Sequence, residues 1–140
     1  MNIGEKIAGQ LTADSNLGKE GSIIALSGPL GAGKTCLAKG IARFFSINDE
    51  VTSPTYTIIS EYEGKKDGKA LTLSHIDAYR LKGEDDFIAI GGEEYLYSGG
   101  ISVIEWSERI SGCLPAHTHT VTIEITGGNS RIIHVTKGKP

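Results

Sequence analysis

Residues 27–35 read SGPLGAGKT and fit the pattern G-x-x-x-x-G-K-[ST] from Gly28 to Thr35. Glycines let the backbone curl so that several N–H groups point inward at one anion. Lys34 can reach the outer phosphates of a nucleotide, and the Thr35 hydroxyl can serve as a ligand of Mg²⁺. The stretch therefore predicts a nucleotide-binding loop.

The segments on both sides of this loop occur in the order that the loop requires. Before it, GSIIALSG is a short apolar run between glycines, which predicts a buried strand at 22–27. After it, from 34 to 45, apolar residues recur at helical spacing: Leu37, Ile41, Phe44 and Phe45. A helix that begins beside the loop directs its positive dipole end at a phosphate. This context favours nucleotide binding over a chance match to the pattern.

The next segment is typical of an antiparallel hairpin. We expect a strand at 55–62, a turn at EGKKDGK, and a second strand in ALTLSHIDAYR that ends near Asp77. Further along, ISVIE predicts another buried strand, which ends at Glu105.

The remaining segments complete the expected fold. We expect a helix at 3–14 with Ile3, Ile7 and Leu11 on one apolar face. Short helices are expected within EDDFIAIGGEEYLYSGG and at SERI, and a terminal hairpin with clean alternation in THTVTIEIT and RIIHVT. The sequence therefore predicts an α/β fold, a single P-loop NTPase domain over residues 1–140 with a mixed parallel and antiparallel sheet flanked by helices.

Composition limits the classes of protein. The chain has 140 residues, of which 39% are hydrophobic, which suits one domain. Its formal net charge of −3 argues against broad non-specific binding to nucleic acid through the whole surface. The two cysteines, Cys36 and Cys113, lie far apart and suggest reduced thiols in a cytoplasmic protein. No segment reaches the roughly 20 apolar residues of a membrane span.

A phosphate loop needs a metal partner, and two carboxylates are candidates. Asp77 and Glu105 each stand at the expected carboxyl end of a buried strand, where such a sheet opens onto its ligand. A carboxylate there holds Mg²⁺ directly or through water. The pattern alone does not choose between the two.

Two further motifs accompany the loop. TSPTYT follows one helix after it, where nucleotide-dependent switches sense the γ-phosphate. Thr52, Ser53, Pro54 and Thr55 are therefore either a switch-like loop or an ordinary loop that enters a strand. HIDAYR places His75 and Asp77 on one strand face. For His75 alone a structural role is the favoured interpretation.

The ordered set GPLGAGKT, SPTY, HIDAYR and IEWSERI resembles the TsaE family of small bacterial P-loop ATPases of threonylcarbamoyladenosine tRNA modification. The resemblance covers about residues 21–135. It implies a chain that binds ATP with Mg²⁺ and hydrolyses it slowly alone. It also implies that the chain acts with the TsaB–TsaD complex, which transfers threonylcarbamoyl to adenosine 37 of tRNAs that read ANN codons. Because the net charge is −3, we expect no direct tRNA binding by the isolated domain.

The resemblance also implies roles for individual residues. Thr35 and Glu105 would be ligands of Mg²⁺, Asp77 would position the attacking water or the metal shell, and Lys34 would stabilise charge. The ATP contacts would come from Gly28, Gly31, Ala32, Gly33, Lys34, Thr35 and Cys36, with Thr12 and Arg131 as weaker candidates. Cys36 stands where a second threonine is common, and we expect it to pack behind the helix. From their positions just after Asp77 and Glu105, rather than from the resemblance, Tyr79, Arg80 and Trp106 are candidates for support of the site or contact with a partner.

Other classes of protein fit the sequence less well. A small-molecule kinase needs an acceptor pocket and usually an arginine-bearing lid, for which the chain has little length to spare. A GTP-binding switch needs a guanine-reading stretch such as N-K-x-D, which the sequence lacks. A nucleotide-binding module without catalysis uses the same residues as a slow ATPase, so the sequence leaves that alternative open.

Overall fold

The architecture follows from a computed structural model, which describes residues 3–13, 21–29, 33–48, 58–128 and 130–138. In chain order its elements are α1 (Ile3–Ala13), β1 (Ser22–Ser27), α2 (Lys34–Phe44), β2 (Ile59–Lys66), β3 (Lys69–Asp77), α3 (Glu84–Ala89), α4 (Gly92–Leu96), β4 (Ile101–Glu105), a 3₁₀ segment (Ser107–Cys113), β5 (His119–Ile125) and β6 (Arg131–Lys137). The predicted strand and helix on either side of the loop are confirmed.

The strands form one mixed sheet in the order β2-β3-β4-β1-β5-β6. β1 pairs in parallel with β4 and with β5, and β3 pairs in parallel with β4. The two outer pairs, β2 with β3 and β5 with β6, are antiparallel. The predicted α/β fold, with parallel strands near the loop and antiparallel strands elsewhere, is therefore confirmed.

Helices cover both faces of this sheet, because the apolar residues of the central strands alternate between two cores. Ile24, Leu26 and Val103 pack with α1 and α2 on one face. Ile23 and Ile104 pack with α3, α4 and the 3₁₀ segment on the other. Strands buried on both faces read as continuous apolar runs, which is how β1 and β4 appear in the sequence.

The strand register brings three carboxyl ends to one edge. Asp77 of β3 lies opposite Glu105 of β4, and Glu105 lies opposite Leu26 of β1. β1 therefore ends beside Glu105, with Asp77 one strand further along the same edge, as expected where ligands bind α/β sheets.

The β2–β3 hairpin differs from the prediction. The strands continue to Lys66 and resume at Lys69, so the expected seven-residue turn is wrong and the turn itself is Asp67-Gly68. Both turn residues have positive φ, 52° and 78°, as tight two-residue hairpin turns require. β2 begins at Ile59 rather than 55, and residues 55–57 lie outside the described ranges.

The helix α1 uses a slightly different face from the one expected. Ile7 and Leu11 are buried as predicted, together with Ala8, whereas Ile3 is 50% exposed. The helix crosses α2 at its first turn, where a Cβ on Gly4 would lie 2.6 Å from the Leu37 carbonyl oxygen. The two helices therefore pack closely at a position that glycine occupies.

The terminal hairpin forms as predicted, but its last strand is mostly exposed, and Ile133 is its one partly buried residue that packs against the core. The other residues of β6 are exposed, including Ile132 and Val135. The strand lies at the edge of the sheet, where it has one neighbouring strand instead of two. None of the helices in the described ranges is long and apolar enough to cross a membrane.

Candidate functional site

Two glycines set the backbone at the ends of the loop. Gly28 follows β1 with φ of 151°, and Gly33 precedes α2 with φ of 104°. The Gly33 carbonyl accepts the first bond of the helix from the Leu37 N–H, at 2.9 Å. A residue with a side chain rarely adopts a φ of 104°, so glycine is required at position 33. Gly31 and Ala32 lie outside the described residues.

Lys34 folds back across the loop instead of reaching into solvent. Lys34 is only 6% exposed, and its Nζ donates a hydrogen bond to the Gly28 carbonyl oxygen at 2.9 Å. The ammonium group also lies 3.9 Å from the centroid of the Trp106 ring. A cation over an indole face is stabilised by the ring quadrupole. The loop lysine is thereby held beside the end of β4.

Trp106 has a backbone conformation that is rare for a bulky residue. It follows β4 directly, with φ of 58° and ψ of 37°. Its ring contacts Tyr79 at 5.0 Å between centroids, and the guanidinium carbon of Arg109 lies 6.0 Å from it. Such outliers cluster at functional sites. The structure brings Trp106 and Tyr79 together and adds Arg109, which was not among the predicted site residues although it stands three residues after Trp106.

The two candidate carboxylates lie side by side but in different surroundings. Glu105 is 4% exposed, whereas Asp77 is half-buried. The Glu105 carbonyl accepts the Ala78 N–H at 3.0 Å, and Asp77 Oδ1 accepts the Tyr79 N–H at 3.0 Å. Both strand ends are therefore fixed by hydrogen bonds to the segment that follows β3.

His75 contacts Glu105 directly. Its Nε2 lies 2.6 Å from Glu105 Oε2, and the two side chains are 0% and 5% exposed. Nδ1 is buried without a hydrogen-bond partner among the described residues. A purely structural role, as favoured from the sequence, does not fully describe His75. The one side-chain hydrogen bond of its ring within the described ranges is made with Glu105, a candidate metal ligand.

The oxygen donors at this edge suit Mg²⁺. The Thr35 hydroxyl, in the first turn of α2, and the carboxylates of Asp77 and Glu105 are the hard ligands that this cation prefers. No group of three or more His, Cys, Asp or Glu side chains in the described ranges could hold a metal alone. Mg²⁺ commonly uses one or two carboxylates and completes its shell with phosphate oxygens and water, so the residues fit a metal that arrives with a nucleotide.

Other predicted residues lie apart from this group or outside the described residues. Arg131 begins β6, and its guanidinium donates to carbonyls of the β5–β6 turn, the shortest bond being 3.0 Å to Ser130. Arg80 is exposed. Cys36 is exposed, so the expectation that it packs behind the helix is wrong; the buried stripe of α2 runs through Leu37 and Ile41 instead. The side chain of Thr12 and the whole of Thr52, Ser53, Pro54 and Thr55 lie outside the described residues.

Sequence comparisons place this geometry in a known family. The family model described as "Threonylcarbamoyl adenosine biosynthesis protein TsaE" matches residues 1–133. A relative from Treponema pallidum, named tRNA threonylcarbamoyladenosine biosynthesis protein TsaE, is 43% identical over 124 residues, which cover 89% of this chain and 88% of the relative. A Bacillus subtilis protein of the same name is 40% identical over 118 residues, which cover 84% of this chain and 71% of the relative.

A solved structure agrees with the sequence comparisons. The crystal structure of YdiB from Bacillus subtilis superimposes with a TM-score of 0.70 at 34% sequence identity, and the match covers 99% of this chain and 82% of that one. The likeness therefore extends over both the central strands and the hairpins. On the family model, the curated relatives and this shared fold, the chain belongs to the TsaE family.

Proposed function

We propose that this chain is a Mg²⁺-dependent ATPase that acts with the TsaB–TsaD complex in the threonylcarbamoyl modification of adenosine 37 in tRNAs reading ANN codons. The observation that carries the proposal is the juxtaposition of buried charges at one sheet edge. Lys34 and Glu105 are 6% and 4% exposed, and Trp106, the residue after Glu105, contacts the Lys34 ammonium. Charged side chains are almost never fully buried without a partner or a function.

Lys34 is suited to bind the outer phosphates of ATP. Its partners in the structure are a neutral carbonyl oxygen and an aromatic ring. Hydrogen bonds between charged groups are roughly twice as strong as neutral ones, so a phosphate competes well for the same ammonium group. The backbone N–H groups at the start of α2 add to the attraction.

The carboxyl ends of β3 and β4 complete the proposed chemistry. Thr35 and Glu105 would hold Mg²⁺, which supplies neutralisation of phosphate charge when bound. Asp77 is half-buried at the neighbouring strand end, where its carboxylate would orient the attacking water or a water of the metal shell. Catalysis would then rest on positioning and charge stabilisation, the two means that phosphoryl transfer mainly uses.

A partner would explain slow turnover by the chain alone. Phosphoryl transfer is accelerated strongly when an arginine reaches the transferred group, and in many systems a partner supplies it. The nearby Arg109 donates to the Leu81 carbonyl at 3.4 Å and lies against Tyr79, with 5.4 Å from its guanidinium carbon to the ring centroid. Because Arg109 is engaged in these contacts, we propose that the TsaB–TsaD complex supplies the group that accelerates phosphoryl transfer. The net charge of −3 favours tRNA contact through the partners.

The test is ATP hydrolysis by the purified chain, alone and with a bacterial TsaB–TsaD pair. We expect slow hydrolysis alone, stimulation by the pair, and loss of the stimulated activity in Glu105→Ala. Glu108→Ala is the matched control, because Glu108 is an exposed glutamate three residues further on. Rapid transfer of phosphate to a small acceptor without stimulation by the pair would support a small-molecule kinase instead. Full stimulation of Glu105→Ala would overturn the proposed role of this carboxylate.

A further inference from the structure

The buried contact between His75 and Glu105 is fixed by the sheet. His75 lies on β3, paired with Ser60 of β2 on one side and Val103 of β4 on the other. Its backbone is therefore held by strands on both sides, and its side chain is 0% exposed. An imidazole in this position has no freedom to follow Glu105 if the carboxylate turns away.

The hydrogen bond selects one carboxylate oxygen. With Glu105 ionised, His75 Nε2 donates to Oε2 at 2.6 Å. A carboxylate fixed by a donor on one oxygen directs its other oxygen, Oε1, away from that donor. The Glu105 backbone is also held, because its carbonyl accepts the Ala78 N–H at 3.0 Å.

The pattern of bonds at His75 differs from that of a histidine that only fills the core. Buried polar atoms nearly always have partners, yet Nδ1 has none among the described residues. The burial of this ring is therefore costly, and its one bond in these ranges goes to a carboxylate at the strand end. Such contacts to metal ligands orient the ligand and tune its affinity.

We infer that His75 is the positioning residue that holds Glu105 in the orientation that binds Mg²⁺. The inference rests on the proposed metal role of Glu105 and deepens it. It also divides the work between the two carboxylates. Glu105 has the histidine and is the direct ligand, whereas Asp77, whose Oδ1 accepts the Tyr79 N–H, acts on water.

Binding of Mn²⁺ tests this inference without reliance on turnover. Mn²⁺ replaces Mg²⁺ and is followed by its electron paramagnetic resonance in the presence of the full chain and AMP-PNP. We expect His75→Leu to weaken Mn²⁺ binding about 10- to 100-fold, because it removes the donor to Glu105. His75→Gln keeps an N–H near the position of Nε2 and should restore affinity to within about threefold of the unmodified chain. His134→Leu, at an exposed histidine that contacts Glu124, is the matched control.

A double variant shows whether His75 acts through Glu105. If it does, adding His75→Leu to Glu105→Gln changes Mn²⁺ affinity by less than about twofold, because residues that act together are not additive. Circular dichroism and thermal unfolding confirm that each variant is folded. Should His75→Leu not fold, His75→Asn replaces it, since its amide is too short to reach Glu105 and the same loss of affinity is expected.

Two results separate failure of the inference from failure of the proposed function. If Glu105→Gln weakens Mn²⁺ binding and His75→Leu does not, His75 has no positioning role and the proposed metal ligand stands. If Glu105→Gln leaves Mn²⁺ binding unchanged, the metal role of Glu105 is wrong, and the inference is overturned with it.

Discussion

Two histidine–glutamate pairs bridge neighbouring strands of this sheet in very different surroundings. His75 and Glu105, between β3 and β4, are 2.6 Å apart with side chains that are 0% and 5% exposed. His134 and Glu124, between β6 and β5, are 3.5 Å apart with side chains that are 58% and 59% exposed. Each pair reaches diagonally across one strand pairing.

The difference between the pairs shows that position in the sheet gives a residue pair its role. The buried pair stands near the carboxyl ends of β3 and β4, and Trp106, the residue after Glu105, contacts the Lys34 ammonium. The exposed pair stands on the edge hairpin, where water screens the charges and such pairs contribute little. Identical residue types therefore serve a candidate site in one place and a solvated surface in the other.

The largest effect is expected at the buried lysine. Lys34→Ala should lower ATP turnover by about a hundredfold to a thousandfold, the loss typical when one charge-stabilising donor is removed. Lys39→Ala, which removes an exposed lysine from the same helix, should leave turnover unchanged. Steady-state ATPase assays of both variants make the comparison. Full turnover in Lys34→Ala would show that the site is wrongly assigned.

The next effect separates the two histidines by stability. His75→Leu leaves a buried carboxylate without its partner and should lower the free energy of unfolding by about 3–5 kcal/mol. His134→Leu removes only a solvated partner and should cost less than about 1 kcal/mol. Urea denaturation followed by circular dichroism measures both. If both variants lost the same free energy of unfolding, burial would not determine how much each pair contributes to stability.

Two glycines extend the comparison to the backbone. A Cβ on Gly100, just before β4, would lie 2.3 Å from the carbonyl oxygen of Thr72, so Gly100→Ala should cost about 1–3 kcal/mol. A Cβ on Gly128, in the β5–β6 turn, would meet nothing within 4 Å among the described residues, and Gly128→Ala should change stability by less than about 1 kcal/mol. Thermal unfolding measures the stability of both variants. An unchanged melting temperature in Gly100→Ala would contradict the close approach of β3 to the segment before β4.

The smallest effect is expected from salt at the exposed pair. Glu124→Gln should lower the free energy of unfolding by less than about 0.5 kcal/mol at low salt, and 1 M NaCl should remove most of this difference. Urea denaturation at the two salt concentrations measures it. A loss of several kcal/mol that persists in salt would show that the hairpin pair is more than a solvated contact.

Much of the fold could be predicted from local sequence patterns. The loop between β1 and α2, the buried strand that ends at Glu105 and the mixed sheet all follow from glycine spacing and apolar runs. The exposure of Ile132 and Val135 could not be predicted from their apolar side chains, because it depends on the place of β6 at the edge of the sheet. The dipeptide Asp67-Gly68 is typical of a tight turn, but the neighbouring lysines and glycines in EGKKDGK predict a turn longer than the one that forms.

The candidate site was predictable residue by residue but not as an arrangement. The sequence placed Asp77 and Glu105 at strand ends, yet their adjacency depends on the pairing of β3 with β4, which are separated by two helices in the chain. The contact of His75 with Glu105 depends on the same long-range register. The contact of Lys34 with Trp106 depends on a left-handed backbone at Trp106, which a bulky residue rarely adopts and no local pattern indicates.

The most direct test of the account is calorimetric titration of the purified chain with ATP, with and without Mg²⁺. We predict saturable binding at one site that Mg²⁺ tightens, and loss of that binding in folded Lys34→Ala. Binding that is absent from the folded chain under both conditions, or that persists unchanged in Lys34→Ala, would contradict the claim that the buried charges at this sheet edge form a Mg²⁺–ATP site.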